Sequence, residues 1–199
     1  MDRQKIREEF IKAAITIGAN EGLAAVTMRA MSNHANINSA FLYRVFDDVE
    51  DVHLQAFMSV NHALIEKMTE NLKIYDEGVV TDEKIKLFFK NLWNYVKKDS
   101  ERFEYFIKYY YNKVFPNDYA NEECRICMKP VLDKMGLFFK EKTNLNRELF
   151  HLLAIFIEYA ALVRNGVYPD NDQTNKKVCN LVLSLISNRL KISAVGNTK

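Results

Sequence analysis

Six glycines and three prolines in 199 residues are too few for an all-β chain, which needs a turn every 8–12 residues or so. Three cysteines, few and odd in number, build no disulfide framework and point to a reducing cytosol. Long hydrophobic runs are missing as well. The most apolar stretch, Leu149 to Val163, is 15 residues long and carries His151 and Glu158, whereas a spanning helix wants roughly 20 apolar residues. The N-terminal MDRQKIREEF is charged and lacks the apolar segment of a signal peptide. Charge of one sign is absent too: 28 basic and 26 acidic side chains leave +2, which neither demands nor excludes an anionic partner. What is present is a 48% apolar, 12% aromatic chain, too apolar for disorder. The expectation is a soluble, cytoplasmic, all-α protein with no membrane partner.

Helical periodicity runs almost throughout, and no period-2 stretch of strand length appears. It predicts about nine helices, near 2–21, 27–34, 39–45, 47–75, 81–98, 99–114, 117–141, 145–166 and 172–191, with a frayed tail at 193–199. Ile6, Phe10, Ala13, Ala14 and Ile17 form the buried stripe of the first helix, which Gly22 should end in a left-handed cap. Thr27 and Asn38 have the chemistry of N-caps, and Asp47 and Asp48 suit the positive end of the fourth helix. Asn36 tolerates the positive φ of a tight connection. A break is expected around Gly78, and Pro130 should kink or divide the seventh helix.

Thr27 to Phe46 thus has the build of a helix-turn-helix. Asn38, Ser39 and Ala40 open its second helix with small side chains, which lets that end approach a groove or a phosphate closely. Phe41, Leu42, Tyr43 and Phe46 alternate between inward and outward positions. On Ala13-Ala14, Gly22, Thr27, Arg29, Met31, Ala35, Ile37, Asn38, Leu42-Tyr43, Phe46 and Glu50-Asp51-Val52, residues Ile6 to Phe57 resemble the DNA-binding domain of TetR/AcrR-family transcriptional regulators. The resemblance covers about a quarter of the chain. It implies a DNA-binding domain over 1–48, a ligand-binding and dimerisation domain over 49–192 and a flexible tail over 193–199.

By the same resemblance, Asn38, Ser39 and Ala40 would sit nearest the bases of an operator and Tyr43 on a phosphate, flanked by Thr27 and Arg29. Three positions depart from the family pattern. Gly18 replaces a bulky aromatic, which should cost the first helix packing. Asn36 replaces the turn glycine, and Val49 a lysine that meets a phosphate. Residues 1–52 hold six basic and eight acidic side chains, a net of −2, where most nucleic-acid modules are basic.

Other constellations carry less. Cys124 and Cys127 lie in a buried helical register with Met128, Val131, Met135 and Phe138, and no second pair completes a zinc site. Two Glu-x-x-His pairs, Glu50/His53 and Glu148/His151, have di-iron spacing, but Glu50 falls in a helix's first turn and cannot join a mid-bundle cage. No catalytic signature, metal site or cofactor motif is present. The aromatic load is more telling. Phe89, Trp93, Phe106, Tyr110, Met135, His151 and Phe156 are the candidate lining for a small, largely apolar effector, with Tyr110 and His151 as polar handles. Of Tyr109-Tyr110-Tyr111, at least one phenol should be exposed or face a polar recess. The helices near 145–166 and 172–191 are apolar nearly all round, so Leu153, Ile157, Leu181 and Leu185 are candidate contacts of a homodimer. The sequence therefore points to a ligand-responsive, homodimeric transcriptional repressor on a near-palindromic DNA operator. The alternative is a small-molecule or protein-binding helical module whose helix-turn-helix no longer reads DNA.

Overall fold

In the computed structural model, the described residues are 2–73, 81–137, 139, 145–187 and 190. Eight α-helices run through them: α1 (Arg3–Glu21), α2 (Met28–Ala35), α3 (Val49–Leu72), α4 (Asp82–Lys98), α5 (Ser100–Tyr109), α6 (Asp118–Met135), α7 (Leu145–Arg164) and α8 (Asp172–Ile186). Shorter segments wind as 3-10 helix at Leu23–Ala25 and Ser39–Arg44, and as π-helix at Tyr110–Val114. The described residues contain no strand, only an isolated bridge between Phe139 and Leu190. The chain is all-α, as its periodicity requires. The expected helix end near Tyr75, the break at Gly78, Phe138, the last turns toward 141 and 191, and the 193–199 tail lie outside the described residues.

Local chemistry sets the boundaries. Thr27 Oγ1 accepts from Ala30 N at 3.2 Å and caps α2, and Asn36 closes it in the left-handed region, at φ 52° and ψ 42°. Asn38 Oδ1 accepts from Ala40 N at 2.9 Å. Asp48 Oδ1 caps α3 through Asp51 N at 2.8 Å, while Asp51 Oδ2 reaches back to Asp47 N at 3.1 Å. Gly22 stops α1 with φ +96° and ψ 160°, an extended mirror-image conformation rather than the expected left-handed cap. Pro130 does not divide its helix. α6 runs through it, and the ring sits exposed.

The chain separates into two compact units, Met1–Ala63 with Glu101–Asn121, and Leu64–Ser100 with Glu122–Lys199. The expected boundary after residue 48 therefore falls inside the first unit, because the start of α3 and all but the first residue of α5 pack with the N-terminal helices. In that unit α1 lies against α2 and the Ser39–Arg44 segment, burying Phe10, Ala13, Ala14, Met31 and Leu42 completely. Each large apolar side chain so buried stabilises by roughly 1.5–3 kcal/mol. Gly18 is not a packing defect. A Cβ placed there would lie 2.6 Å from Tyr105 Cδ2 and 2.8 Å from Cε2, so the ring of Tyr105, carried by α5, fills the space that a side chain on α1 would take.

In the second unit α4 packs on α7 and α8, which also meet each other. Ile85, Phe88, Phe89, Leu92, Trp93 and Val96 are buried along α4 at helical spacing. The indole of Trp93 is fully covered, and its Nε1 donates to Asn175 Oδ1 at 2.8 Å.

Candidate functional site

Thr27, Arg29, Asn38, Ser39, Ala40 and Tyr43 are all exposed on the first unit. Tyr43 stands out most, at 64% exposure. The segment that should read bases is wound as 3-10 helix, which the periodicity did not distinguish. In that winding, residues three apart line up. Leu42 points inward at 0% exposure, Ala40 shares a row with Tyr43, and Phe41 with Arg44. The last pair is visible as a contact, with the Arg44 guanidinium 4.9 Å from the Phe41 ring centroid. Asn38 spends its carbonyl on the cap, leaving its NH₂ as the group free to donate outward.

Electrostatics around this face are restrained. Arg7 is half-buried, bonded to Gln55 and set 5.3 Å over the Phe46 ring, so its charge serves the interior. Glu50 pairs with Lys113 at 3.3 Å and accepts from the Tyr109 hydroxyl at 3.4 Å. Beneath it, His53 is 6% exposed. Tyr105 Oη donates to the His53 carbonyl at 3.0 Å and lies 2.9 Å from His53 Nδ1. With the phenol proton used on the carbonyl, Nδ1 carries its own proton and donates it to the Tyr105 oxygen. Burial holds the His53 pKa below its ordinary value, with Glu50 opposing and Lys113 assisting. Burial likewise pushes the Tyr105 and Tyr109 phenols upward, so both stay protonated.

These contacts leave Glu50 and His53 committed to Lys113, Tyr109 and Tyr105 rather than to a metal cage. Cys124 is buried, and its thiol is pushed up to about 12 by that burial first and by Cys127 second. Such a thiol is inert.

The candidate effector lining does not come together as one group. Phe89, Trp93 and Phe156 do meet in the second unit, with Phe156 6.5 Å from Phe89 and 5.8 Å from Trp93 between ring centroids. Met135 is buried in α6 of that unit, whereas His151 is exposed on α7 and makes a poor interior handle. Phe106 and Tyr110 belong to the first unit, where Phe106 stacks on Phe57 at 4.9 Å. Of the three successive tyrosines, Tyr109 and Tyr110 are buried and Tyr111 is exposed.

The four candidate dimer residues split in the same way. Leu153 and Ile157 are covered within their own unit, at 0% and 2% exposure, because α4 and α8 take that side of α7. The larger aliphatic side chains that α7 still offers are the half-buried Ile155, Leu162 and Val163. On α8, Leu181 is half-buried and Leu185 is 54% exposed. Sequence reasoning also missed Asn61, a polar residue four beyond Phe57 on the apolar face of α3. A break in an otherwise apolar stripe was the signal.

Comparison with known proteins agrees with this frame. No family model and no curated protein matches the chain, but solved structures do. A TetR family transcription regulator from Marinobacter aquaeolei superposes with a TM-score of 0.71 at 16% identity, over 92% of this chain and 97% of that one. A TetR-like transcriptional regulator from Rhodococcus sp. gives 0.63 at 14% identity, over 92% and 97%. The fatty acid degradation regulator FadR from Bacillus halodurans gives 0.57 at 16%, over 89% and 94%. The fold is that of TetR-family regulators, along nearly the whole chain.

Proposed function

We propose that this chain, built on the TetR-family fold, is a homodimeric, ligand-responsive DNA-binding regulator that represses from a near-palindromic operator. The observation that carries the reading is the capped Thr27–Arg44 unit, with Thr27, Arg29, Asn38, Ser39, Ala40 and Tyr43 all outward. Asn38, Ser39 and Ala40 approach the bases, and Tyr43, Thr27 and Arg29 hold the backbone. A two-fold dimer mirrors itself in its operator. Exposed Leu185, with Leu181, Ile155, Leu162 and Val163, supplies the apolar surface for a four-helix pairing of α7 and α8 with a second copy. The effector is small and largely apolar, in keeping with the aromatic side chains that fill both units. It acts by differential affinity for two states of the dimer. No described helix is long and apolar enough to cross a membrane.

The rival reading, a helical binding module that no longer reads DNA, draws on the −2 balance of residues 1–52 and on the withdrawal of Arg7 into the interior. Selection of bound duplexes from a random pool at low salt separates the two. The regulator enriches a near-palindromic sequence, and the rival enriches none.

A further inference from the structure

Val52, His53, Ala56, Phe57 and Val60 give α3 a buried face, and Asn61 lies on it with no exposure at all. Neither Oδ1 nor Nδ2 of Asn61 has a hydrogen-bond partner. Among the described residues no other side-chain amide is orphaned at both ends; Asn71, Asn121 and Asn146 each leave a single buried atom unpaired. An unpaired buried amide destabilises a fold, and a leucine in the same place would not. The contacts between α3 and α5 locate it. His53 meets Tyr105 and Tyr109, Phe57 meets Phe106 and Tyr109, and Arg102 donates to the Ser59 carbonyl. This antiparallel register carries Asn61 to the level of the first turn of α5, the turn that leads into Phe103, whose ring stands edge-on to Phe106 at 6.4 Å.

We propose that Asn61 is the recognition group of an effector site inside the first unit, between α3 and α5, and that the site takes a neutral molecule with an apolar body ending in a primary carboxamide. Oδ1 needs a donor and Nδ2 an acceptor, and a carboxamide presents both side by side. An ionised carboxylate offers acceptors alone and leaves Oδ1 unmatched. The aromatic rings of Phe57, Phe103 and Phe106 suit the apolar body. The inference rests on reading the chain as effector-responsive, and it replaces Tyr110 and His151 with a different polar handle.

The test is thermal melting of the full chain with octanamide as probe and 2-nonanone, an acceptor alone, as control. Octanamide should raise the wild-type melting temperature by mass action and the ketone should do so less. Asn61→Leu should melt about 2–4 °C higher than wild type without probe and bind octanamide about tenfold more weakly. An unmoved wild type, or an Asn61→Leu chain that keeps its full response, overturns the site. Should the variant not fold, the side-chain ¹⁵N–¹H signals of wild-type Asn61 decide: they shift on adding octanamide, or the proposal fails. DNA selection on the protein without probe stands apart from this result. An octanamide response with no DNA enriched sinks the regulator and leaves the site, and the opposite pair of results sinks the site alone.

Discussion

Gly18 and Tyr105 share one volume: the ring on α5 occupies the space that any side chain on α1 at that point would need. Alanine is the better helix former by about 1 kcal/mol, yet Gly18→Ala should destabilise the protein by about 1–3 kcal/mol, because its Cβ meets the ring well inside contact distance. In a double-mutant cycle measured by urea unfolding, Gly18→Ala should cost less on a Tyr105→Leu background. Equal costs on both backgrounds would show that the two residues do not compete for space.

The neutral, buried His53 makes stability depend on pH in a defined direction. Its folded pKa lies below the ordinary 6.5, so the unfolded chain takes up its proton first as pH falls. Stability should be fully present above about pH 6.5 and decline below it, down to the folded pKa. Melting temperatures between pH 8 and pH 5 should show this fall, and His53→Gln should flatten it. A variant with the wild-type slope would assign the effect to other groups.

On DNA, Tyr43→Ala should weaken binding by about tenfold, nearly evenly across sequences, as a phosphate contact does. Asn38→Ala or Ser39→Ala should instead change the preferred sequence, at about 1–3 kcal/mol per lost base contact. With Arg7 held inside, few phosphates are neutralised and the dependence of affinity on salt should be shallow. Fluorescence anisotropy from 50 to 200 mM salt reads all three effects.

Leu185, more than half exposed on α8, should sit in the contact between copies. Leu185→Glu should raise the dimer dissociation constant by about a hundredfold, since an unpaired carboxylate would be buried. Sedimentation at micromolar concentration checks it, with a mass near 46 kDa expected for the wild type, twice 23.2 kDa. Leu153 is a poor choice for the same experiment, because its substitution attacks the protomer's own core.

Caps were legible in the sequence because they are local. Thr27, Asn36, Asn38 and Asp48 act within three residues of themselves, and each does what its chemistry requires. The winding at Ser39–Arg44 was not legible, since six residues are too few to tell a period of 3.0 from 3.6. The Gly18 vacancy was visible on α1, but its occupant comes from α5, and no local pattern pairs the two. Apolar faces on both sides of α7 announced burial without saying which side the chain covers itself. The packing of α4 and α8 gives that answer, and it moves the free surface away from Leu153 and Ile157.

The first unit is assembled from two stretches, Met1–Ala63 and Glu101–Asn121, with the second unit's Leu64–Ser100 between them. During synthesis the helix-turn-helix leaves the ribosome early, yet the first unit cannot complete its packing until α5 has followed. Phe57, His53 and Gly18 wait for Phe106, Tyr105 and Tyr109. Closing that loop costs entropy that grows only slowly with its length, so the delay is one of time more than of free energy. A ribosome stalled before residue 101 should carry N-terminal helices that proteases cut readily, and one stalled well past Asn121 a first unit that resists them.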